Sequence, residues 1–162
     1  MVSNSLLAGL CWYTSIHQKT EVTPFSGNNS YLKSASDVDG HYLSLMSENF
    51  IYSRLNVTPE TVDANHKRLL SFVNAENFSE MLKLLQKEAN LIKNKKISSV
   101  FHIAQIRSNP ANLTVNVTGI LKRHVGLRDL KDEKTTYQIQ YQYRFGRLSI
   151  VRFTQMKELK NV

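Results

Sequence analysis

Residues 135–145, TTYQIQYQYRF, alternate large apolar and polar side chains with a period of two. The apolar members are Tyr137, Ile139, Tyr141, Tyr143 and Phe145, and the polar members between them are Thr136, Gln138, Gln140, Gln142 and Arg144. Strict alternation is typical of a β-strand that has one face covered and the other in contact with solvent. The segment therefore predicts an antiparallel sheet with one covered face.

Three other segments share this β-like character and lie close by in the chain. Residues 98–108 are followed by the turn NPAN. Residues 113–125 come next, and residues 148–156 come after a turn at Gly146 and Arg147. The charged loop LRDLKDEK, residues 127–134, leads into the opening segment. Consecutive strands with short connections predict an antiparallel meander of four strands.

Helical periodicity dominates the chain before this sheet. Apolar side chains recur at helical spacing in residues 37–55, 59–73 and 76–95. Asp37 or Asp39 is expected to cap the first helix, and Thr58, followed by Pro59, is expected to cap the second. In the first helix the predicted apolar stripe consists of Tyr42, Leu45, Met46, Phe50 and Leu55.

Three helices that precede such a sheet have to bury their apolar stripes against it. The prediction is an α+β fold in which three N-terminal helices pack on a curved four-stranded antiparallel sheet. This arrangement resembles the nuclear-transport-factor-2-like fold.

The N-terminal residues 1–16, MVSNSLLAGLCWYTSI, carry no charged side chain. The dense apolar part, residues 6–16, would span about 16 Å as a helix, roughly half of a hydrocarbon core. We therefore predict a partial transmembrane helix, with an amphipathic surface segment or a tail packed on the domain as alternatives. The candidate anchor residues are Leu6, Leu7, Leu10, Trp12 and Tyr13. Residues 17–36, rich in small and polar residues, are predicted to be a linker to a domain at 37–157, and 158–162 a tail.

No recognisable catalytic, cofactor-binding or metal-binding motif occurs. The sequence lacks HExxH, G-x-S-x-G and a phosphate-binding glycine loop, its single cysteine lies in the apolar tail, and its five histidines are scattered. Glu60, Asp63 and His66, spaced three apart, are interpreted as capping, dipole and packing residues. The net charge of +8 favours anionic lipid, nucleic acid or acidic partners without choosing among them.

Several blocks, in order, resemble the TraE proteins of F-type conjugation systems, relatives of the eighth VirB component of type IV secretion systems. They are HYLSLMSENFIYSRLN, RLNVTPETVDANHKRLLSFV, ANLIKNKKISSVF and GILKRHVG, at residues 41–56, 54–73, 89–101 and 119–126. The resemblance covers residues 37–157. It implies a non-enzymatic, single-pass inner-membrane protein with a periplasmic domain. Its role would be to link inner-membrane and periplasmic components of the transfer channel.

Two other function classes remain open from the residues themselves. A small-molecule enzyme or ligand binder on the same fold would use a polar pocket with His102 hydrogen-bonded to a carboxylate. A nucleic-acid-binding module would use the basic side chains. For the scaffold, the candidate interaction surface is expected on the outer sheet face and the adjoining loops: Lys122, Arg123, Arg128, Lys131, Gln138, Gln140 and Gln142. Weak self-association in isolation is expected to become homo-oligomeric assembly in the machine.

Overall fold

The computed structural model of the chain describes residues 20–22, 31–33 and 38–156. Three helices come first in the domain: α1 (Gly40–Leu55), α2 (Val62–Leu70) and α3 (Phe78–Lys95). The strands are β1 (Thr20–Val22), β2 (Tyr31–Lys33), β3 (Ile97–Asn109), β4 (Thr114–Val125), β5 (Arg128–Asp129), β6 (Glu133–Arg144) and β7 (Arg147–Met156). The predicted anchor at residues 1–16 and tail at residues 158–162 lie outside the described residues.

The sheet confirms the predicted meander. Its four long strands lie in the order β3-β4-β6-β7, and every neighbouring pair is antiparallel. The short strand β5, inside the charged loop, pairs with the end of β4. Within the predicted linker, β1 and β2 form a separate antiparallel pair. The predicted α+β fold class is confirmed.

The start of the first helix confirms one of the two predicted caps, whereas the start of the second helix differs from the sequence prediction. Helix α1 begins at Gly40, and the Asp39 carboxylate caps it by accepting the Tyr42 N–H at 2.7 Å. Helix α2 begins at Val62, and the predicted side-chain cap by Thr58 is wrong. The Thr58 hydroxyl is engaged elsewhere, because it donates to the Glu60 carboxylate at 2.7 Å. Only the backbone carbonyl of Thr58 serves the helix, by accepting the Val62 N–H at 3.0 Å.

The buried face of α1 is rotated from the predicted apolar stripe. Leu43 and Ile51 are fully buried, whereas Leu45 and Met46 are only partly buried. The difference arises because two polar residues, Ser47 and Arg54, also point inward. The sequence prediction considers only apolar side chains, so it omits both positions. As a result, the predicted stripe is rotated relative to the buried face of helix α1.

The inner face of the sheet carries the aromatic residues of β6. Tyr137, Ile139 and Tyr141 are buried, and the Tyr141 hydroxyl lies 2.6 Å from the Ser47 hydroxyl on α1. Burial raises the pKa of Tyr141 well above its usual range. The prediction that Phe145 extends this inward stripe is wrong. The chain turns at Phe145 and Gly146, so the Phe145 side chain is 98% exposed.

Gly119 in β4 is required by a close approach to β3. A β-carbon at this position would lie 2.3 Å from the His102 carbonyl oxygen and 2.6 Å from the Phe101 ring. Neither neighbour can move freely, since one is strand backbone and the other is a buried core ring.

We expect Gly119→Ala to lower the free energy of unfolding by about 1–3 kcal/mol, as overpacking in a filled core does. Chemical denaturation measures this change. Lys122→Ala, on an exposed side chain of the same strand, is the control and should change it by less than about 0.5 kcal/mol. Equal effects of the two substitutions would contradict the close-approach explanation.

Candidate interaction surface and buried polar cluster

The outer face of the sheet, which the helices leave uncovered, carries a row of cross-strand polar contacts. The hydroxyls of Thr118 and Thr136 lie 2.8 Å apart on neighbouring strands. The Gln138 side-chain amide donates to the Asn116 side-chain oxygen at 3.1 Å. Cross-strand pairs of this kind hold side chains in a fixed pattern on the sheet surface. The predicted outward position of Gln138 is therefore correct, while its role in binding stays a prediction.

The charge on this outer face is entirely basic within the four long strands. Their exposed cations on it are Arg107, Lys122, Lys134, Arg144, Arg147 and Arg152. The only acidic residue in these strands, Glu133, has the inward parity of Thr135 and Tyr137. The face therefore presents cations and neutral hydrogen-bonding groups, which suits an anionic or hydrogen-bonding partner.

The predicted basic edge is divided between two faces. Lys122 and Arg123 lie inside β4 and not in a loop, and adjacent residues of a strand point to opposite faces. Lys122 points outward, where its ammonium group is 3.6 Å from the Asp132 carboxylate. Arg123 points inward and forms an ion pair with Glu133. Arg128 lies in β5 and Lys131 in the exposed connection that follows, so these four cations do not form one continuous surface.

The buried polar cluster is centred on Arg54 of α1, whose side chain is only 7% exposed. Its guanidinium donates two hydrogen bonds to the Glu88 carboxylate of α3, at 2.5 and 3.2 Å, and one to the Phe153 carbonyl of β7, at 2.6 Å. Its central carbon lies 4.6 Å from the centroid of the Phe153 ring. A buried arginine is stable only when paired and hydrogen-bonded, and this one meets both conditions.

A cavity of about 200 Å³ adjoins this cluster between the helices and the inner face of the sheet. Arg54, Glu88, Arg123, Tyr137 and Gln155 contribute its polar groups. The Nε of Arg123 is buried and makes no hydrogen bond within the described part of the chain. Burial raises the pKa of Tyr137, so this hydroxyl stays protonated at neutral pH. The cavity therefore offers hydrogen-bond donors, and the hydroxyl of Ser99, which also lines it, is engaged in donating to the Leu55 carbonyl at 2.6 Å.

His66 of α2 faces a second, more open groove of about 460 Å³ between α2 and α3. The ring is buried, with Nδ1 3.2 Å from the Leu85 carbonyl oxygen and Nε2 3.4 Å from the Arg54 carbonyl oxygen. Its interpretation as a hydrogen-bonded packing residue is confirmed. Desolvation is the main cause that lowers the pKa of His66, although both carbonyl groups and Glu88 oppose it. Near the rim of the groove, Asp63 forms an exposed ion pair with Lys93 at 2.9 Å.

His102, the histidine considered for an enzymatic site, does not enter either cavity. It is exposed on the outer face of β3, opposite Ile120 of β4. The tyrosines Tyr137 and Tyr141 belong to the core cluster. No group of three or more potential metal ligands occurs among the described residues. The polar pocket containing His102 that an enzyme would need is thus not formed.

Sequence comparison identifies a family over nearly the whole chain. A family model described as TraE protein matches residues 1–155. A TraE protein of Salmonella typhi is 37% identical over 143 residues, which cover 88% of this chain and 76% of that relative. A TraE protein of Escherichia coli K12 is 38% identical over 109 residues, which cover 67% of this chain and 58% of that relative.

Comparison with solved structures shows the same fold at low identity. The TrwG component of a type IV secretion system from Bartonella birtlesii superposes with a TM-score of 0.59 at 12% identity, over 71% of this chain and 90% of that one. A TraE protein in complex with 2-chloroisonicotinic acid gives a TM-score of 0.62 at 9% identity, over 74% and 97%. Among the described residues, no helix combines the length and apolarity needed to cross a membrane.

The Arg54–Glu88 pair should contribute far more to stability than the exposed pair at the groove rim. We expect Glu88→Ala to lower the free energy of unfolding by about 3 kcal/mol, because it leaves the buried guanidinium without its carboxylate. This value is at the low end for a buried pair, since Glu88 keeps 33% of its side chain exposed. Asp63→Ala, which breaks the exposed pair with Lys93, should cost less than about 1 kcal/mol. Denaturant titration of both variants separates them, and similar losses would refute a special role for Arg54.

The depressed pKa of His66 should make stability depend on pH. Below the ordinary histidine pKa of 6.5, the unfolded chain binds a proton that the folded chain resists. The free energy of unfolding should therefore fall as the pH drops from about 6.5 towards the lower pKa of the folded state. His66→Gln should flatten this dependence between about pH 7.5 and pH 5, measured by denaturation midpoints. His102→Gln, a substitution at an exposed histidine, should keep the wild-type dependence of stability on pH. If His102→Gln flattens this dependence and His66→Gln does not, His66 is not its source.

Proposed function

This chain belongs to the TraE family, and from that premise we propose that it is a non-enzymatic scaffold of a conjugative type IV secretion system that supports DNA transfer. The observation that carries the proposal is the TraE family match across residues 1–155. The fold shared with a type IV secretion component supports it, because that fold needs no active site to act as a structural module.

The state of the inward polar groups also supports a structural role. Most of them have partners: Ser47 with Tyr141, Arg54 with Glu88, and His66 with one of the two backbone carbonyls beside its ring nitrogens. A catalytic group has to present a reactive atom to a substrate at a suitable pKa. These side chains instead join helices to the sheet and to each other, as a rigid scaffold requires.

We further propose that the protein is anchored in the inner membrane with residues 37–157 in the periplasm. The uncharged segment at residues 1–16, with Leu6, Leu7, Leu10, Trp12 and Tyr13, supplies part of the membrane helix. Residues 17–36 then separate the anchor from the domain. The matched segments cover 76% and 58% of two TraE relatives, so the activity and partners of the whole protein are part of this proposal.

The outer sheet face is the surface that we assign to assembly. Its polar row, with Gln138 and Gln140, and its exposed cations suit contacts that are individually weak. Such contacts become strong when many copies are held together on one membrane. The isolated domain should therefore be monomeric or weakly dimeric. Other channel components and further copies of this chain are its expected partners.

Deletion of the gene should abolish plasmid transfer without affecting growth, and the wild-type gene supplied in trans should restore it. The combined variant Lys122→Glu, Lys134→Glu and Arg152→Glu should transfer at least about tenfold less, because it replaces three cations of the outer face with carboxylates. Mating assays count the transconjugants, and immunoblots measure protein abundance. Arg123 is excluded from this test, since its inward pair with Glu133 would make a loss ambiguous.

The matched control reverses the same number of charges on the helical side. Lys83, Lys87 and Lys95 are exposed on α3, and their combined replacement by Glu should leave transfer close to the wild-type level. Full transfer by the outer-face variant at normal abundance would show that this face is only solvated. Loss of transfer in both variants would point to net charge and not to the sheet face.

A further inference from the structure

The hairpin between β6 and β7 ends in an aromatic side chain that the domain leaves in water. Phe145 is 98% exposed, and its backbone has a φ of +50°, followed by Gly146 at +73°. Hairpin turns with two such residues favour Asn or Asp before Gly. A bulky side chain in the left-handed region is rare, because its β-carbon crowds the backbone. Phe145 is thus unfavourable in this turn, because its backbone is in a disfavoured region and its apolar ring is exposed to water. Packing within the domain does not explain why a phenylalanine occupies this position.

This tip lies at the end of the domain where α1 begins. Gly40, the first residue of α1, is close to Ser108 near the end of β3 and to Pro110 in the connection between β3 and β4. The same connection is tied to β6 by the hydrogen bond from the Tyr141 N–H to the Leu113 carbonyl, at 2.8 Å. The β6–β7 tip and the start of α1 therefore share one end of the sheet. The uncharged N-terminal segment precedes α1 in the chain, so the polypeptide enters the domain at the end that carries Phe145.

Two basic side chains flank the exposed ring. Arg144 and Arg147 pair with each other on either side of the turn, and both are exposed. The carboxylate of Asp39, just before α1, already caps that helix by accepting the Tyr42 N–H. An aromatic ring between arginines matches the interface of an anionic membrane, where rings lie at headgroup depth and cations meet phosphates.

From these observations we propose that the β6–β7 tip docks the domain onto an anionic phospholipid surface. Phe145 enters the interfacial layer, and Arg144 and Arg147 bind lipid phosphates. The docking holds the domain against the bilayer in one orientation, with the α1 end towards the lipid. This inference goes beyond the role in transfer and does not depend on it, since it concerns lipid contact alone.

A second exposed tip on the same sheet supplies a matched comparison. Leu127, between β4 and β5, is also fully exposed, but it lies at the opposite end, where β4 ends beside the start of β3. Its surroundings are mixed in charge, because Asp129 and Asp132 accompany Arg128. The proposal therefore predicts lipid contact at Phe145 and none at Leu127.

The test places a single tryptophan at each tip of the full chain. The chain has one native tryptophan, so Phe145→Trp and Leu127→Trp are each made together with Trp12→Phe. Each protein is added to vesicles of phosphatidylethanolamine and phosphatidylglycerol that carry brominated acyl chains. Emission from the Phe145→Trp protein should shift to the blue and be quenched at least about threefold more strongly than emission from the Leu127→Trp protein. Because the N-terminal segment precedes the end that carries Phe145, its insertion alone could favour quenching there, and replacement of Arg144 and Arg147 in the same protein separates that effect from docking of the tip.

Three further measurements can overturn the proposal. Replacement of Arg144 and Arg147 by Gln in the Phe145→Trp protein, or a change to phosphatidylcholine vesicles, should remove most of the quenching, and so should about 0.5 M salt. Quenching that persists under all these conditions would refute the role of anionic lipid. Equal quenching at both tips, or none at Phe145→Trp, would refute docking through this hairpin. Unchanged thermal midpoints verify that each variant is folded, and mating assays report separately on the proposed function.

Discussion

The domain depends most on the contacts that the Arg54 guanidinium makes with the Glu88 carboxylate, the Phe153 carbonyl and the Phe153 ring. One side chain of α1 donates to a carboxylate of α3 and to a backbone carbonyl of β7, and it lies against the ring of Phe153. A charge that is removed from water has to be compensated by such contacts. The arrangement fixes the rotation of α1 and connects the helical layer to the last strand of the sheet.

The two faces of the sheet differ in how their polar side chains are bonded. On the inner face, polar groups such as Ser47 and Tyr141 bond to one another, and aromatic side chains fill the space between them. On the outer face, short polar side chains bond across the strands while the cations extend into solvent. The described polar groups of the inner face are mostly bonded to one another, whereas those of the outer face are available for binding. This distribution is consistent with the scaffold role that we propose.

The edges of the sheet are partly closed by the connections between helices. Val57, after α1, exchanges two backbone hydrogen bonds with Ser99 of β3, at 2.8 and 3.1 Å. On the other edge, Ile150 of β7 donates to the Phe72 carbonyl and accepts from the Asn74 N–H, at 2.7 and 3.0 Å. Covered edges resist strand addition by other chains. Contacts with partners are therefore expected on the outer face and at the hairpin tips.

The four strands, their two faces, the three helices and the family could be predicted from the sequence, because period and motif are local properties of the chain. Alternation in residues 135–143 and helical spacing in residues 78–95 are each set by neighbours within a few positions. The burial of particular polar side chains could not be predicted in this way, because it depends on tertiary contacts. Arg54 and Glu88 are 34 residues apart, and nothing in the local pattern of either one indicates the other. Likewise, the contact between the Ser47 and Tyr141 hydroxyls and the hydrogen bond from Arg54 to the Phe153 carbonyl join residues that are distant in the sequence. Local periodicity predicts elements and faces, whereas burial of charge depends on contacts between residues that folding alone brings together.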